Sequence, residues 1–131
     1  MSKTLKFLVI DDDDTVQSII GAFINRYMEE NNLNGTIKRV TDPVQGLFIL
    51  NTHGNEYDAI LLDVRLPKLT GDEIYNSLIS LEQDFIKRIM FVTGYANDLV
   101  ARFPDLELNI LNKPFRYQDL SARIDELLKL D

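Results

Sequence analysis

Residues 7–14 read Phe7-Leu-Val-Ile-Asp-Asp-Asp-Asp14, an apolar run that breaks into four carboxylates. An apolar stretch without alternation suits a strand covered on both faces, and the sudden charge marks where that strand leaves the core. The run begins at Leu5, and residues 59–62, 89–93 and 108–111 repeat the pattern. Residues 36–40 are more polar and suit an edge strand.

Helix-period segments separate these runs. Val16, Ile19, Ile20, Phe23, Ile24, Tyr27 and Met28 form one helical stripe; Ile74, Leu78 and Leu81 mark a second, and Leu120, Ile124, Leu127 and Leu128 a third. Pro43 suits a first helical turn ahead of Val44, Leu47 and Phe48, with Asp42 as its cap. Asn97 suits the cap of a short helix over residues 98–103, which Pro104 stops. Strands alternating with helices predict an α/β fold: a five-stranded parallel sheet, doubly wound and flavodoxin-like in order.

Composition narrows what such a fold can do. With 131 residues the chain is read as one domain, residues 1–131, and 45% hydrophobic against 27% charged residues predicts a folded core. Lys and Arg number 14 against 21 Asp and Glu, a formal charge of −7 that disfavours direct binding to nucleic acid. There is no Cys, hence no thiolate metal site or Cys nucleophile, and the single His53, read as an exposed loop residue, makes no multi-histidine site. No apolar run approaches the ~20 residues of a membrane helix, so no membrane association and a cytoplasmic location are expected.

In an open parallel sheet, ligands bind beyond the carboxyl ends of the strands. The first run ends in Asp11, Asp12, Asp13 and Asp14, the third at Asp63, the fourth at Thr93, and the fifth at Asn112, Lys113 and Pro114. Two carboxylates ~4 Å apart repel by roughly 4 kcal/mol at an effective dielectric near 20, so Asp11, Asp12 and Asp63 together require a cation. Oxygen ligands alone select a hard ion, and few carboxylates plus water suit Mg²⁺ better than Ca²⁺. Lys113 and Thr93 are suited to hold phosphoryl oxygens, and a carboxylate can itself be the nucleophile. The set points to phosphoryl transfer onto a protein aspartate. Asp13 and Asp14 read instead as a solvated, helix-capping pair.

These residues resemble the receiver domain of two-component response regulators over essentially the whole chain. The matching pieces are Phe7-Leu-Val-Ile-Asp-Asp12, Tyr57-Asp-Ala-Ile-Leu-Leu-Asp63-Val-Arg-Leu-Pro67, Gly71, Val92-Thr93-Gly94 and Lys113-Pro114-Phe115. The resemblance implies that Asp63 is the phosphoacceptor and Asp12 a direct Mg²⁺ ligand. It further implies that Asp11 holds the ion through water and that the Arg65 backbone carbonyl is the third protein contact. Thr93 would bond a phosphoryl oxygen, and Lys113 would pair with the phosphoryl group or with Asp63. The donor would be a phosphohistidine on a sensor histidine kinase or histidine phosphotransfer protein. A cis bond before Pro114 is implied as well.

Three departures matter. Ile110 stands where the family often has a switching aromatic, so the readout would be a backbone or packing shift over residues 94–98. Arg65 and Tyr95 are bulky at the pocket mouth and are expected to obstruct the attacking water, prolonging the aspartyl phosphate. Leu99, Val100 and Phe103 are expected in the core, leaving Asp98 and Arg102 on a face open to an output partner. A competing class is the haloacid-dehalogenase-like phosphatase, with Asp11 as nucleophile and Asp13 as acid and base. It would leave Asp63 idle and lacks the acidic pair needed after Lys113. A receiver-shaped interaction module that takes no phosphate is a third reading, although no required side chain is missing.

Overall fold

The computed structural model describes residues 4–63, 84–94, 96–102 and 109–129. Its strands are β1 (Thr4–Ile10), β2 (Asn34–Val40), β3 (Ala59–Asp63), β4 (Ile89–Thr93) and β5 (Asn109–Asn112), all parallel, in the order β2-β1-β3-β4-β5. The described helices are α1 (Asp14–Glu30), α2 (Pro43–His53), α3 (Ala96–Arg102) and α4 (Tyr117–Lys129), with 3₁₀ turns at Gly54–Glu56 and Asp84–Arg88. This is the expected doubly wound fold, with the polar run β2 at an edge as predicted.

Every residue of β3 and β4 is buried, which is why their sequences do not alternate. The pleat still sorts them by parity. Leu8, Ile10, Ile60, Leu62 and Phe91 face one core with Ile49 and Leu50 of α2 and with Phe85. Phe7, Val9, Leu61, Met90 and Val92 face the other, against Ile20 and Ile24 of α1 and Leu120, Ile124 and Leu127 of α4. Burying each such side chain is worth roughly 1.5–3 kcal/mol, so two filled cores clamp the sheet from both sides and hold its carboxyl edge rigid. At Gly46 a Cβ would lie 3.0 Å from an Ile10 methyl, so α2 rests directly on the residue that precedes Asp11.

Several sequence expectations are corrected. Ile19 of the α1 stripe is 44% exposed, and on α2 Val44 and Phe48 are 58% and 64% exposed, while Gly46, Ile49 and Leu50 turn inward. Asn97 is not the cap of the short helix but lies inside it, since α3 starts at Ala96. Val100 is 51% exposed, not in the core. His53 is exposed as expected but ends α2, its ring paired with Glu56. Asp42 caps α2 as read, its carboxylate accepting from the Val44 N–H. Leu108, the stripe at Ile74, Leu78 and Leu81, Pro104 and Phe103, with the side chains of Asp98, Leu99 and Arg102, lie outside the described residues.

Candidate functional site

The four aspartates after β1 do four different things. Asp11 continues the sheet, its N–H donating to the Val40 carbonyl at 3.0 Å, and it is 1% exposed. Its Oδ1 accepts from the Asp13 N–H at 2.9 Å, which closes the turn and sends Oδ2 elsewhere. Asp12 is exposed. Asp13 caps α1, accepting from the Thr15 and Val16 N–H groups at 2.8 and 3.3 Å, and Asp14 is exposed in the first turn, as the capping reading expected.

Asp63 is the last residue of β3 and Thr93 the last of β4; both are buried. The Lys113 N–H donates to the Thr93 carbonyl at 2.8 Å just past the end of β5, and the Lys113–Pro114 peptide is cis, as the resemblance implied. Lys113 Nζ stands 3.7 Å from Asp63 Oδ1 and 3.8 Å from Asp11 Oδ2. One carboxylate oxygen from each of Asp11, Asp12 and Asp63 lies within 4.8 Å of the others. Together with Thr93 and Gly94 these groups line a cavity of about 270 Å³. All five side chains singled out for the site therefore meet, while Arg65, Tyr95, Pro67 and Gly71 lie outside the described residues.

The electrostatics of this cavity are unbalanced. Among the described residues, three carboxylates face one ammonium, and Asp11 Oδ2 is buried with no hydrogen-bond partner. Burial raises the Asp11 carboxyl from 3.8 to about 6; the Asp13 N–H opposes the rise, Asp63 adds to it, Lys113 opposes it and Asp12 adds to it. An orphaned buried oxygen beside two further carboxylates fits a hard divalent cation with oxygen ligands, and Mg²⁺ with retained waters matches the small donor set. Sequence reading missed an apolar trough of about 220 Å³ beside the cavity, lined by Val16, Ile19, Pro114, Phe115 and the Lys113 stem. Ile19 was its signal, an apolar residue at the margin of a stripe wider than the core needs.

Residues 7–125 match the family model of the response regulator receiver domain. The chain belongs to the response regulator receiver domain family. Receiver domains are phospho-acceptor switches of two-component systems, with phosphorylation on an aspartate and Mg²⁺ at an acidic pocket as typical features. Among relatives, this receiver is 28% identical over 131 residues to the sensor kinase CckA of Brucella abortus, covering 98% of this chain and 13% of the kinase. It is 28% identical over 126 residues to the response regulator MprA of a Mycobacterium species, covering 95% of this chain and 51% of the regulator. The chain thus spans about half of one relative and a small fraction of the other. The receiver domain of a Pseudomonas aeruginosa sensor histidine kinase, solved with a magnesium ion coordinated in its active-site cleft, shares the fold with TM-score 0.76 at 22% identity, covering 97% of this chain and 99% of that one. The haloacid-dehalogenase alternative finds no support. The Asp13 carboxylate it would need as acid and base is engaged in capping α1, and Asp63 is buried in the cavity instead of idle.

Proposed function

We propose that this receiver accepts a phosphoryl group on Asp63 from a phosphohistidine of a sensor histidine kinase or a histidine phosphotransfer protein, and that the phosphorylated form switches an output partner. The observation that carries this reading is the meeting of three carboxylates from two strand ends with one lysine, around a buried oxygen that has no hydrogen-bond partner among the described residues. An Asp63 carboxylate oxygen forms a bond to phosphorus, the phosphorus–nitrogen bond breaks, and its electron pair stays on the imidazole of the donor. Asp12 and Asp63, with Asp11 through water and the Arg65 backbone carbonyl, would hold Mg²⁺. The ion would supply charge neutralisation for the carboxylates and the phosphoryl oxygens. Thr93 donates to one phosphoryl oxygen, and Lys113 moves from Asp63 to pair with another, forming charge-assisted bonds that the bare protein lacks.

The trough of Val16, Ile19, Pro114 and Phe115 adjoins Lys113 and suits an apolar helix of the donor, which would bring its histidine over the cavity. The α3 face, where Val100 is exposed, is proposed for the output partner. With Ile110 packed against the core in place of an aromatic, the change would travel through residues 94–98. Arg65 and Tyr95 are proposed to shield the acyl phosphate from water, and a cytoplasmic location follows from the kinase partner. Incubation with Mg²⁺ and acetyl phosphate is expected to add about 80 Da, the mass of one phosphoryl group, and peptide mapping to place it on Asp63. Label on Asp11, or undiminished label in Asp63→Asn, overturns the reading.

A further inference from the structure

Gln17 is a polar residue at the N-terminal end of the buried face of α1, 2% exposed between two strand ends. Its Nε2 lies 3.1 Å from the Val9 carbonyl, 3.0 Å from the Asp11 carbonyl and 3.0 Å from the Val40 carbonyl. All three partners are acceptors, so the amide must present its NH₂ here, sharing two hydrogens among three oxygens. The β1–β2 ladder stops at the Ile10–Val40 pair, after which β2 departs to begin α2 at the Asp42 cap. Gln17 supplies the next rung to the Asp11 carbonyl, from a helix instead of a strand.

We infer that Gln17 is a positioning residue for the cation site: by holding the Asp11 carbonyl it fixes the Asp11–Asp12 peptide plane, and with it the direction of both carboxylates. The inference rests on the receiver reading above. A planar peptide transmits the orientation of its carbonyl to the Cα atoms on either side. The Asp13 N–H then sets the Asp11 rotamer through Oδ1, leaving Oδ2 for the cavity. Simple packing explains Gln17 poorly, because its Oε1 is buried without a partner, a burden that an apolar side chain of the same size would avoid. Outer residues that orient metal ligands are typically worth about 10-fold to 100-fold in metal affinity.

The test is a Mg²⁺ titration of wild type, Gln17→Met and Gln17→Leu, followed by NMR, with thermal melts and acetyl-phosphate labelling alongside. Loss of the NH₂ is expected to raise the Mg²⁺ Kd by about 10-fold or more, with labelling restored at saturating Mg²⁺. A lowered melting temperature with Kd within about twofold of wild type would show a purely structural glutamine and overturn the inference. Should neither variant fold, wild type alone decides. The Gln17 side-chain NH₂ resonances are expected to shift and gain exchange protection as Mg²⁺ saturates, and their failure to respond overturns the inference. If wild type binds no Mg²⁺ at all, the receiver reading of the site falls and this inference with it. Binding by wild type that matches both variants removes the inference alone.

Discussion

At the seam between α1 and α4, the Tyr27 hydroxyl donates to Asp125 at 2.6 Å, the Tyr117 hydroxyl donates to Glu30 at 2.7 Å, and Arg26 donates to the same Glu30 at 3.0 Å. The Arg26 guanidinium also covers the Tyr117 ring at 4.0 Å, and Phe23 meets Phe115 and Tyr117 edge-on. At the strand ends, by contrast, the one ammonium among the described residues, that of Lys113, stands 3.7 Å or more from its carboxylates, and Asp11 keeps a buried oxygen with no hydrogen bond from them. The perturbed protonation states follow this split. The Tyr117 hydrogen bond, then that from Arg26, holds the Glu30 carboxyl below its ordinary range, whereas burial holds Asp11 above it. Where every charge has a partner at hydrogen-bond distance, the cluster joins two helices. Where negative charge is in surplus and one oxygen is unmatched, the cluster is built for something that arrives.

This contrast breaks most readily at Asp11. Its carboxyl keeps its proton up to about 6 in the fold but releases it near 3.8 when unfolded, so between these values the folded state binds more protons and stability falls as pH rises. Without metal, Asp11→Asn is expected to be the more stable protein at pH 8 by roughly 2 to 3 kcal/mol, with the advantage vanishing below pH ~4. With Mg²⁺ in excess that advantage should shrink, because wild type binds the ion more tightly and gains more binding energy; denaturant melts at both pH values, with and without Mg²⁺, check it. If Asp11→Asn is less stable at pH 8 without metal, the surplus-charge description of the pocket is wrong.

Tyr27 sharpens the other side. Burial, then the hydrogen bond to Asp125, holds its phenol well above the ordinary tyrosine range, so it remains a donor at any working pH. Tyr27→Phe is expected to cost about 1.5 kcal/mol in urea unfolding while leaving acetyl-phosphate labelling of Asp63 unchanged. A labelling defect would tie the seam to the site and dissolve the distinction. The smallest effect belongs to Arg123, which pairs with Glu126 at 3.2 Å on the exposed face of α4. Solvent screening should hold Arg123→Ala within about 0.5 kcal/mol of wild type by the same measurement.

Much of this architecture could be read in advance. Strands β3 and β4 announced themselves because burial on both faces demands apolar residues at every position, and the terminal Asp63 and Thr93 stood out against that background. Which way a helix turns was harder. On α2, Val44 and Phe48 looked core-facing by spacing, yet Gly46, Ile49 and Leu50 pack inward, since only Gly46 lets the helix approach Ile10 so closely. Ile19 and Val100 misled in the same way, and both now lie on the surfaces proposed for partners. Gln17 gave no signal at all, because one amide in a helix reads as a solvent-facing residue until its three carbonyl partners are seen.

Local chemistry alone determined that this chain has apolar runs ending in Asp11, Asp63, Thr93 and Lys113, and that parallel pairing would bring those ends to one edge. Only the tertiary structure decided what each aspartate in the run from Asp11 to Asp14 does, which helix faces stay in water, and that a glutamine of α1 completes the end of the sheet. The physical reason is range. Strand character and capping depend on neighbours along the chain, whereas burial, orphaned oxygens and displaced protonation depend on groups as far as 102 positions apart, as Asp11 and Lys113 are, meeting at 3.8 Å.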